Sequence, residues 1–365
     1  MRPSGEDSAD SPSSQRRPRR VAVVGAGMAG LTAARELRER GVEVEVFDKG
    51  RGPGGRLASR RVTLGTHNAE AASLLSFDHG AQYFTARDPR FRQRVAQWRE
   101  EGVVAPWEGR IRTLRRGQLG DPRGATERFV GVPRMSALTR QWAAGMEVRC
   151  GHRVEALERH EEVAGWTLRC VDGQRFGPYD AVGLTAPAVQ SGALLETAEE
   201  GEIRPFITDL RGQVESVELE PCWAVMVAFE EPLAVEADGA FVEDSPLSWI
   251  ARDSSKPGRP AAAAGVDAWV LHASALWSRE HLEEEREAVL ARLLEALDDA
   301  LGGPGLPPAI YQTAHRWRYA LPPQPLADAC LSSPRAGLAV AGDWCGGPRV
   351  EGAFLSGLAL AEALV

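Results

Sequence analysis

A turn with three spaced glycines constrains the fold of this chain more than any other feature of its sequence. In the stretch RRVAVVGAGMAGLTAAREL a short buried strand is predicted from Arg20 to Val24, and a helical spacing of apolar residues follows from Met28 to Arg40. Between them lie Gly25, Gly27 and Gly30, in the pattern G-x-G-x-x-G. The first glycine permits the tight turn, the second lets a pyrophosphate approach the backbone, and the third lets helix and strand pack closely. The helix N-terminus then faces the phosphates.

An acid at the end of the next strand supports this interpretation. A second strand, predicted from Val42 to Phe47, ends at Asp48, eighteen residues after Gly30. A carboxylate at that distance can accept hydrogen bonds from both ribose hydroxyls of an adenosine, and its charge would repel a 2′-phosphate. The strand, the helix and the acid together predict an adenine-dinucleotide site, whereas the glycine pattern alone would also fit a purely structural turn.

The residues after Asp48 distinguish between the common dinucleotides. In DKGRGPGGRLASRR a glycine-rich turn from Gly50 to Gly55 leads to Arg56, where a nicotinamide dehydrogenase would continue into another helix. A flexible cationic loop suits a long cofactor that lies across the sheet, with a guanidinium near its pyrophosphate. The pattern therefore favours FAD over NAD.

The far end of the chain carries a second motif of this kind. A buried strand predicted from Gly337 to Ala341 stops at Gly342 and Asp343, and a helix apolar on nearly all sides is predicted from Gly352 onward. The acid can bind a ribityl hydroxyl, and the positive end of the helix can face the electron-rich pyrimidine edge of a reduced flavin. We therefore expect the two ends of the chain to meet at one cofactor.

Composition excludes several classes of protein. The 365 residues carry a formal net charge of −8 and five cysteines, which show no metal-type spacing. No apolar run approaches the roughly 18 residues of a membrane helix. We therefore expect no nucleic-acid partner, no metal and no membrane insertion, and the scattered cysteines favour a reducing, cytoplasmic location. The polar residues 1–19 are predicted to be a disordered tail.

Several segments carry a resemblance to a known family. After the N-terminal GAGMAGLTAARELRERGVEVEVFDKGRGPGGR come, in chain order, FDHGAQYFTAR, YDAVGLTAPA, HRWRYA and GDWCGGPRVEGAFLSG. Over most of 20–365 the chain resembles the flavin-dependent amine oxidase superfamily and, within it, the renalases. That resemblance implies noncovalent FAD and oxidation of the 2- and 6-dihydro isomers of NAD(P)H to NAD(P)+ by hydride transfer to flavin N5. Dioxygen then takes the electrons and gives hydrogen peroxide.

The motifs and the resemblance together assign the candidate site. The residues expected to hold FAD are Gly25, Ala26, Gly27, Met28, Ala29, Gly30, Asp48, Lys49, Gly55, Arg56, Gly80, Ala81, Gln82, Val154, Thr185, Asp343, Arg349, Val350 and Ala353. The resemblance selects Tyr83, His272 and Trp317 as the catalytic set that lines the substrate cavity. From residue type alone, His272 is equally well a structural histidine on a strand, and a single tryptophan is more often a core residue.

The expected fold is α/β, with a Rossmann-like FAD-binding domain of the glutathione-reductase and amine-oxidase type and a second, α+β substrate domain on a mixed sheet. The FAD-binding domain is predicted to be discontinuous, and the divisions are 20–85, 127–188 and 335–365 for that domain and 86–126 and 189–334 for the substrate domain. In the substrate domain the leucine spacing predicts one long amphipathic helix from Glu280 to Leu301.

The lysines bear on the choice of reaction. Lys49 and Lys256 are the only two, and many amine oxidases of the superfamily place a lysine, through a water, against flavin N5. Lys49 lies beside Asp48 at the adenosine end, and the Ser-, Pro- and Gly-rich loop around Lys256 is expected to face solvent. A dihydropyridine becomes an aromatic pyridinium on losing hydride and needs no base, whereas an amine must first be neutral. The alternatives are an amine oxidase or desaturase on the same scaffold, or a flavin-binding redox protein without turnover.

Overall fold

A computed structural model describes residues 20–64, 73–122, 126–160, 163–199, 201–263 and 265–365, so the predicted tail at 1–19 lies outside the described residues. The strands are β1 Arg20–Val24, β2 Glu43–Asp48, β3 Arg60–Leu64, β4 Ser73–Phe77, β5 Val104–Pro106, β6 Ile111–Arg115, β7 Gln118–Leu119, β8 Phe129–Gly131, β9 Glu147–Cys150, β10 Val154–His160, β11 Val163–Cys170, β12 Arg175–Tyr179, β13 Ala181–Leu184, β14 Glu220–Phe229, β15 Gly239–Val242, β16 Leu247–Arg252, β17 Asp267–Ala273, β18 Ala309–Leu321, β19 Leu331–Ser333 and β20 Leu338–Val340. The α-helices are α1 Met28–Glu39, α2 Pro89–Glu100, α3 Met135–Trp142, α4 Ala188–Thr197, α5 Arg204–Glu215, α6 Pro260–Ala263, α7 Ala275–Glu280, α8 Arg286–Leu301 and α9 Val350–Ala363.

Within the described ranges, six strands form a sheet, called sheet A, in the order β19-β20-β13-β1-β2-β9. The strands from β20 to β9 are parallel, and β19 pairs antiparallel with β20. Val21 and Val23 of β1 face a core shared with α1 and α9, whereas Ala22 and Val24 face a second core shared with α4 and α5. Burial of both faces explains the unbroken apolar run of β1. The predicted Rossmann-like α/β fold is confirmed.

A second sheet, called sheet B, has the order β18-β14-β17-β16-β15-β6-β7 within the described residues. Its neighbours are antiparallel except β15 and β6, which are parallel, so the predicted mixed sheet is present. Helix α8 covers one face, where Val289, Leu293 and Leu297 pack in one core with Val225 and Leu271. The leucine stripe of that helix is therefore core.

The long helix predicted from Glu280 is shorter than expected, since α8 begins at Arg286. Residues 281–285 form a turn after α7 instead of a continuous helix. The Leu282 carbonyl accepts a hydrogen bond from Arg316 of β18 (2.6 Å), and Glu283 forms ion pairs with Arg316 and Arg318. The segment therefore contacts sheet B through its backbone and a carboxylate, an arrangement that apolar spacing cannot reveal.

Three helices contribute to the cores on the two faces of sheet A, although the predicted division placed most of their residues in the substrate domain. These are α2, α4 and α5. The ring of Phe91 in α2 lies 5.1 Å from that of Phe354 in α9, and Leu195 of α4 and Ile207 of α5 are buried in the second core of sheet A. A parallel sheet needs cover on both faces, and these helices supply part of it. The two-domain division stays a prediction. The packing groups 89–100 and 188–215 with sheet A.

Candidate active site at the junction of sheets A and B

The glycine turn after β1 has the geometry that its sequence predicts. Gly25 has a φ of +116°, which favours glycine, and a Cβ on Gly30 would lie 1.9 Å from the Gly25 carbonyl oxygen. A Cβ on Gly27, by contrast, would meet nothing within 4 Å. Gly30 therefore permits close packing of α1 against the turn, and Gly27 leaves open space in front of it.

Asp48 closes this turn from the end of β2. Its Oδ2 accepts a hydrogen bond from the Ala26 N–H (2.7 Å), and its Oδ1 accepts one from the Gly50 N–H (2.6 Å). Each carboxylate oxygen has two acceptor positions, so both oxygens can still accept a hydroxyl. Lys49 lies beside them, and its ammonium donates to the side chain of Gln190 (3.1 Å).

The two ends of the chain meet through an ion pair. The Arg56 guanidinium, which follows the second glycine-rich turn, lies 2.5 Å from Asp343 Oδ1 after β20. Arg56 also donates to the Ala320 carbonyl at the end of β18 (3.1 Å). Burial raises the pKa of Asp343, and the Arg56 charge opposes that rise. Both predicted motifs and sheet B are therefore joined at one place.

A cavity of about 2250 Å³ runs through this junction. All predicted site residues except Ala26 and Gly30 line it. The lining extends from Asp48, at the carboxyl end of β2 in sheet A, and Val154, at the start of β10, to His272 and Trp317 on sheet B. One cavity thus contains the residues predicted for the cofactor and those predicted for the substrate.

At the sheet B end, a single backbone oxygen holds two of the predicted catalytic side chains. The His79 carbonyl accepts hydrogen bonds from Trp317 Nε1 (2.9 Å) and from His272 Nε2 (3.1 Å). A carbonyl can only accept, so His272 Nε2 carries the proton and Nδ1 is left as an acceptor. Burial lowers the pKa of His272 to about 4, so the ring is neutral at pH 7.

Two further histidines surround Trp317, and the sequence interpretation missed both. The His79 ring stacks on Trp317 at 5.1 Å, and His315 meets Trp317 edge-on at 4.5 Å. Burial lowers the pKa of His79 to about 3 and that of His315 to about 4. His315 stands two residues before Trp317 on β18, so strand periodicity could have placed both on one face. Nothing local in the sequence marks His79 as their neighbour.

Tyr83 belongs to a separate aromatic group in the same cavity. Its ring lies 5.6 Å from Trp249 and 6.1 Å from Trp107, and the Arg128 guanidinium lies 5.3 Å from its centre. Trp249 pairs with His272 across neighbouring strands of sheet B. The cavity therefore has two aromatic walls, one at Trp317 and one at Tyr83 and Trp249, with His272 beside both.

The prediction that Lys256 faces solvent is wrong. Its side chain is fully buried, and its ammonium donates to Asp253 Oδ1 (2.7 Å) and Gln82 Oε1 (3.2 Å), with Asp78 Oδ2 at 3.5 Å. The Ser- and Pro-rich composition of the loop suggested exposure. The buried ammonium is compensated by the nearby Asp253 and by Asp78 and Gln82 on distant segments. Lys256 does not line the cavity; its ammonium contacts Gln82, and Gln82 lines the cavity.

Family models match nearly the whole described chain. Residues 23–98 match a model described as an NAD(P)-binding Rossmann-like domain, and residues 109–365 match one described as flavin containing amine oxidoreductase. Within the described residues, no helix combines the length and the apolar character needed to cross a membrane.

Individual relatives match short segments of this chain, whereas solved structures superpose on most of it. A zeta-carotene-forming phytoene desaturase of Myxococcus xanthus is 58% identical over 38 residues, which are 10% of this chain and 7% of that protein. A thiamine thiazole synthase of Pyrobaculum calidifontis is 54% identical over 48 residues, 12% of this chain and 18% of that protein. A structure of putrescine oxidase bound to putrescine superposes with a TM-score of 0.62 at 13% identity, covering 94% of this chain and 98% of that one. The A394C mutant of putrescine oxidase gives a TM-score of 0.63, again at 13% identity, over 95% and 98% of the two chains. The sequence likenesses are local, and the structural likeness shows the fold.

Proposed function

The chain belongs to the flavin containing amine oxidoreductase family, and on that premise we propose that it is an FAD-dependent oxidase of renalase type. Its substrates would be the 2- and 6-dihydro isomers of NAD(P)H, which it would oxidise to NAD(P)+. FAD is the cofactor. When bound, it would accept the hydride and pass the electrons to dioxygen, giving hydrogen peroxide.

The residues at the sheet A end fit FAD. Asp48 would take the ribose hydroxyls with the acceptor positions that the backbone N–H groups leave free. The open face of Gly27 would receive the pyrophosphate, with Arg56 available to a phosphate oxygen. Asp343 would take a ribityl hydroxyl, and the N-terminus of α9 would face the pyrimidine edge.

The single observation that carries the substrate proposal is the His79 carbonyl, which fixes Trp317 and His272 at once. The rings it holds are neutral and flat and line the cavity, which suits a flat, uncharged dihydropyridine. The Nδ1 atom of His272 is an acceptor, and a carboxamide N–H is the donor that a nicotinamide offers. The protein would then contribute positioning of the ring rather than proton transfer.

Charge at this end of the cavity favours an anionic dinucleotide over an amine. The guanidinium groups of Arg60 and Arg286 line the cavity and, after burial, are the charges that lower the pKa of His315. Cations in the cavity lining repel a protonated amine and attract a pyrophosphate. The Lys256 ammonium is taken up by Asp253, Asp78 and Gln82, so it is not available as a base for an amine.

An amine oxidase or a desaturase is the second candidate. The superposition on putrescine oxidase supports the first, and the local identity with a phytoene desaturase supports the second. Both would use the same cofactor end of the cavity and differ in what reaches Trp317 and His272.

The test is flavin reduction without oxygen. Borohydride-reduced NAD+, which contains the 2- and 6-dihydro isomers, is mixed with the FAD-loaded protein, and the flavin absorbance is followed beside a matched sample with authentic 4-dihydro NADH. Fast bleaching by the mixture and not by 4-dihydro NADH is the expected result. No bleaching by either, with bleaching by putrescine or an apolar polyene, would replace this function by the second candidate; no bleaching by any of them would leave a flavin-binding protein without turnover.

A further inference from the structure

Four charged side chains are buried together next to Gln82, a residue of the cavity lining. Asp78, Asp253, Lys256 and Arg259, called the Lys256 cluster, all have side chains at most 1% exposed. Lys256 contacts both carboxylates, Arg259 pairs closely with Asp78, and Arg259 Nε lies 3.4 Å from Asp253 Oδ2. Two carboxylates and two cations make the cluster neutral as a whole.

The cluster joins three separate segments of the chain at Asp78. Asp78 follows β4, and its Oδ1 accepts hydrogen bonds from the Ser59 hydroxyl (2.6 Å) and from the Met135 N–H (2.9 Å) at the start of α3. Lys256 and Arg259 reach it from the loop after β16. The backbone that continues from Asp78 into His79 is therefore held from several sides.

Lys256 also fixes the one amide that stands between the cluster and the cavity. Its ammonium, which can only donate, faces Gln82 Oε1 (3.2 Å), so the opposite end of the amide is the donor. That Nε2 donates to the Asp78 carbonyl and lies 3.5 Å from His272 Nε2. The hydrogen bond from Gln82 to the Asp78 carbonyl thus links the two ends of the segment 78–82 next to His272.

Buried charge of this kind is a poor way to gain stability. Taking ions out of water carries a large desolvation cost, and apolar residues of similar volume often stabilise a fold as well or better. A role in fixing geometry accounts for the cluster's place at Asp78, the residue before His79.

We propose that Lys256 is a positioning residue, which acts through Gln82 and the Asp78 backbone to hold the His79 carbonyl where it accepts from His272 and Trp317. For its effect on rate, this inference rests on the proposed function. Its effect on the His272 ring does not depend on any substrate.

The experiment measures the His272 ring directly in the FAD-loaded protein. With ¹⁵N-labelled histidine, the imidazole nitrogens report which of the two carries the proton, and a His272→Gln variant assigns the signals. In the native protein the Nε2–H form is expected alone. In the double variant K256M/D253N, which removes one cation and one carboxylate and keeps the Asp78–Arg259 pair, a mixture of the two tautomers is expected. The same mixture is expected in Gln82→Met, which keeps all four charges and removes only the amide.

A matched control separates positioning from stability. Arg252 and Asp267 form another largely buried pair on sheet B (3.0 Å), and neither lines the cavity. The double variant R252M/D267N is expected to melt at lower temperature while the His272 signals stay native. Flavin reduction by the dihydro isomers is expected to slow about ten- to a hundredfold in K256M/D253N and Gln82→Met, since small misplacement of a substrate-positioning group has effects of that size.

The outcomes are distinguishable. Native imidazole signals in folded K256M/D253N and Gln82→Met would overturn the positioning role of Lys256. If K256M/D253N does not fold, Gln82→Met decides alone. If the native protein is not reduced by any dihydropyridine, the proposed function fails, and the imidazole signals still decide whether Lys256 positions His272.

Discussion

The sheet A end and the sheet B end of the cavity are built in different ways. At the sheet A end, the site is made of glycines, backbone N–H groups and one acid at a strand end, and Gly25, Gly30 and Asp48 lie within thirty residues of each other. At the sheet B end, Trp317 and His272 are held by the carbonyl of His79, 238 and 193 residues away. A local motif can therefore encode the first end, whereas only the folded chain creates the second.

The largest expected effect is at the sheet A end, where Gly30→Ala places a methyl group 1.9 Å from a backbone oxygen. The turn or α1 must shift, so we expect the free energy of unfolding to fall by about 3 kcal/mol. We also expect the purified variant to contain less bound FAD. Denaturant unfolding and flavin content measure these two changes. Gly27→Ala is the matched variant, since its Cβ meets no protein atom; it is expected to fold and to bind FAD more weakly. Equal stability loss in both variants would contradict the roles given to the two glycines.

The next effect comes from acid and acts on the sheet B end. The folded-state pKa values, about 3 for His79 and about 4 for His272 and His315, lie below the roughly 6.5 of an unfolded histidine. The unfolded chain therefore binds more protons, so stability is complete above about pH 6.5 and falls as the pH falls toward about 4. We expect the part of this loss at pH 5 that belongs to His315, the imidazole tested, to be about 2 kcal/mol. Unfolding at pH 7.5 and pH 5 measures it, and His315→Asn should lessen the loss; an unchanged difference would show that His315 is not buried as a neutral ring.

A smaller effect isolates the hydrogen bond of Trp317 from its ring. Trp317→Phe keeps an aromatic side chain and removes the N–H that the His79 carbonyl accepts. About 1 kcal/mol of stability should be lost, and flavin reduction by the dihydro isomers should slow about tenfold, because the ring is no longer held in place. Stopped-flow absorbance measures the rate. Reduction at the native rate would mean that stacking alone positions this wall.

The smallest effect is expected from loss of the Tyr83 hydroxyl alone, since the Tyr83 ring keeps its contacts with Trp249 and Trp107. Tyr83→Phe keeps these contacts, so the reduction rate should change less than about threefold, whereas Tyr83→Ala removes the wall and should slow reduction by more than tenfold. The two rates are compared at saturating substrate. A large effect of Tyr83→Phe would assign the hydroxyl a direct part in the reaction.

The difference between the two ends also explains what the sequence could predict. The strand at Arg20–Val24 and the fold of sheet A follow from apolar runs and glycine spacing, which depend on neighbours in the chain. Lys256 was misplaced because its loop has an exposed composition, and the partners that bury it, Asp78 and Gln82, lie more than 170 residues away. No local sequence pattern indicates His79, because it holds Trp317 and His272 through its backbone oxygen, which every residue type has. The assignment of Tyr83, His272 and Trp317 as the catalytic set stays a prediction, although all three line one cavity.

The most direct measurement of the central claim compares purified isomers on the native, FAD-loaded protein. Anaerobic stopped-flow mixing gives the rate constant of flavin reduction by 2-dihydro, 6-dihydro and 4-dihydro NADH at matched concentration. The account predicts that at least one of the first two reduces the flavin about a hundredfold faster than 4-dihydro NADH and yields NAD+. Reduction of the flavin by none of the three, or by all three at the same rate, would contradict it.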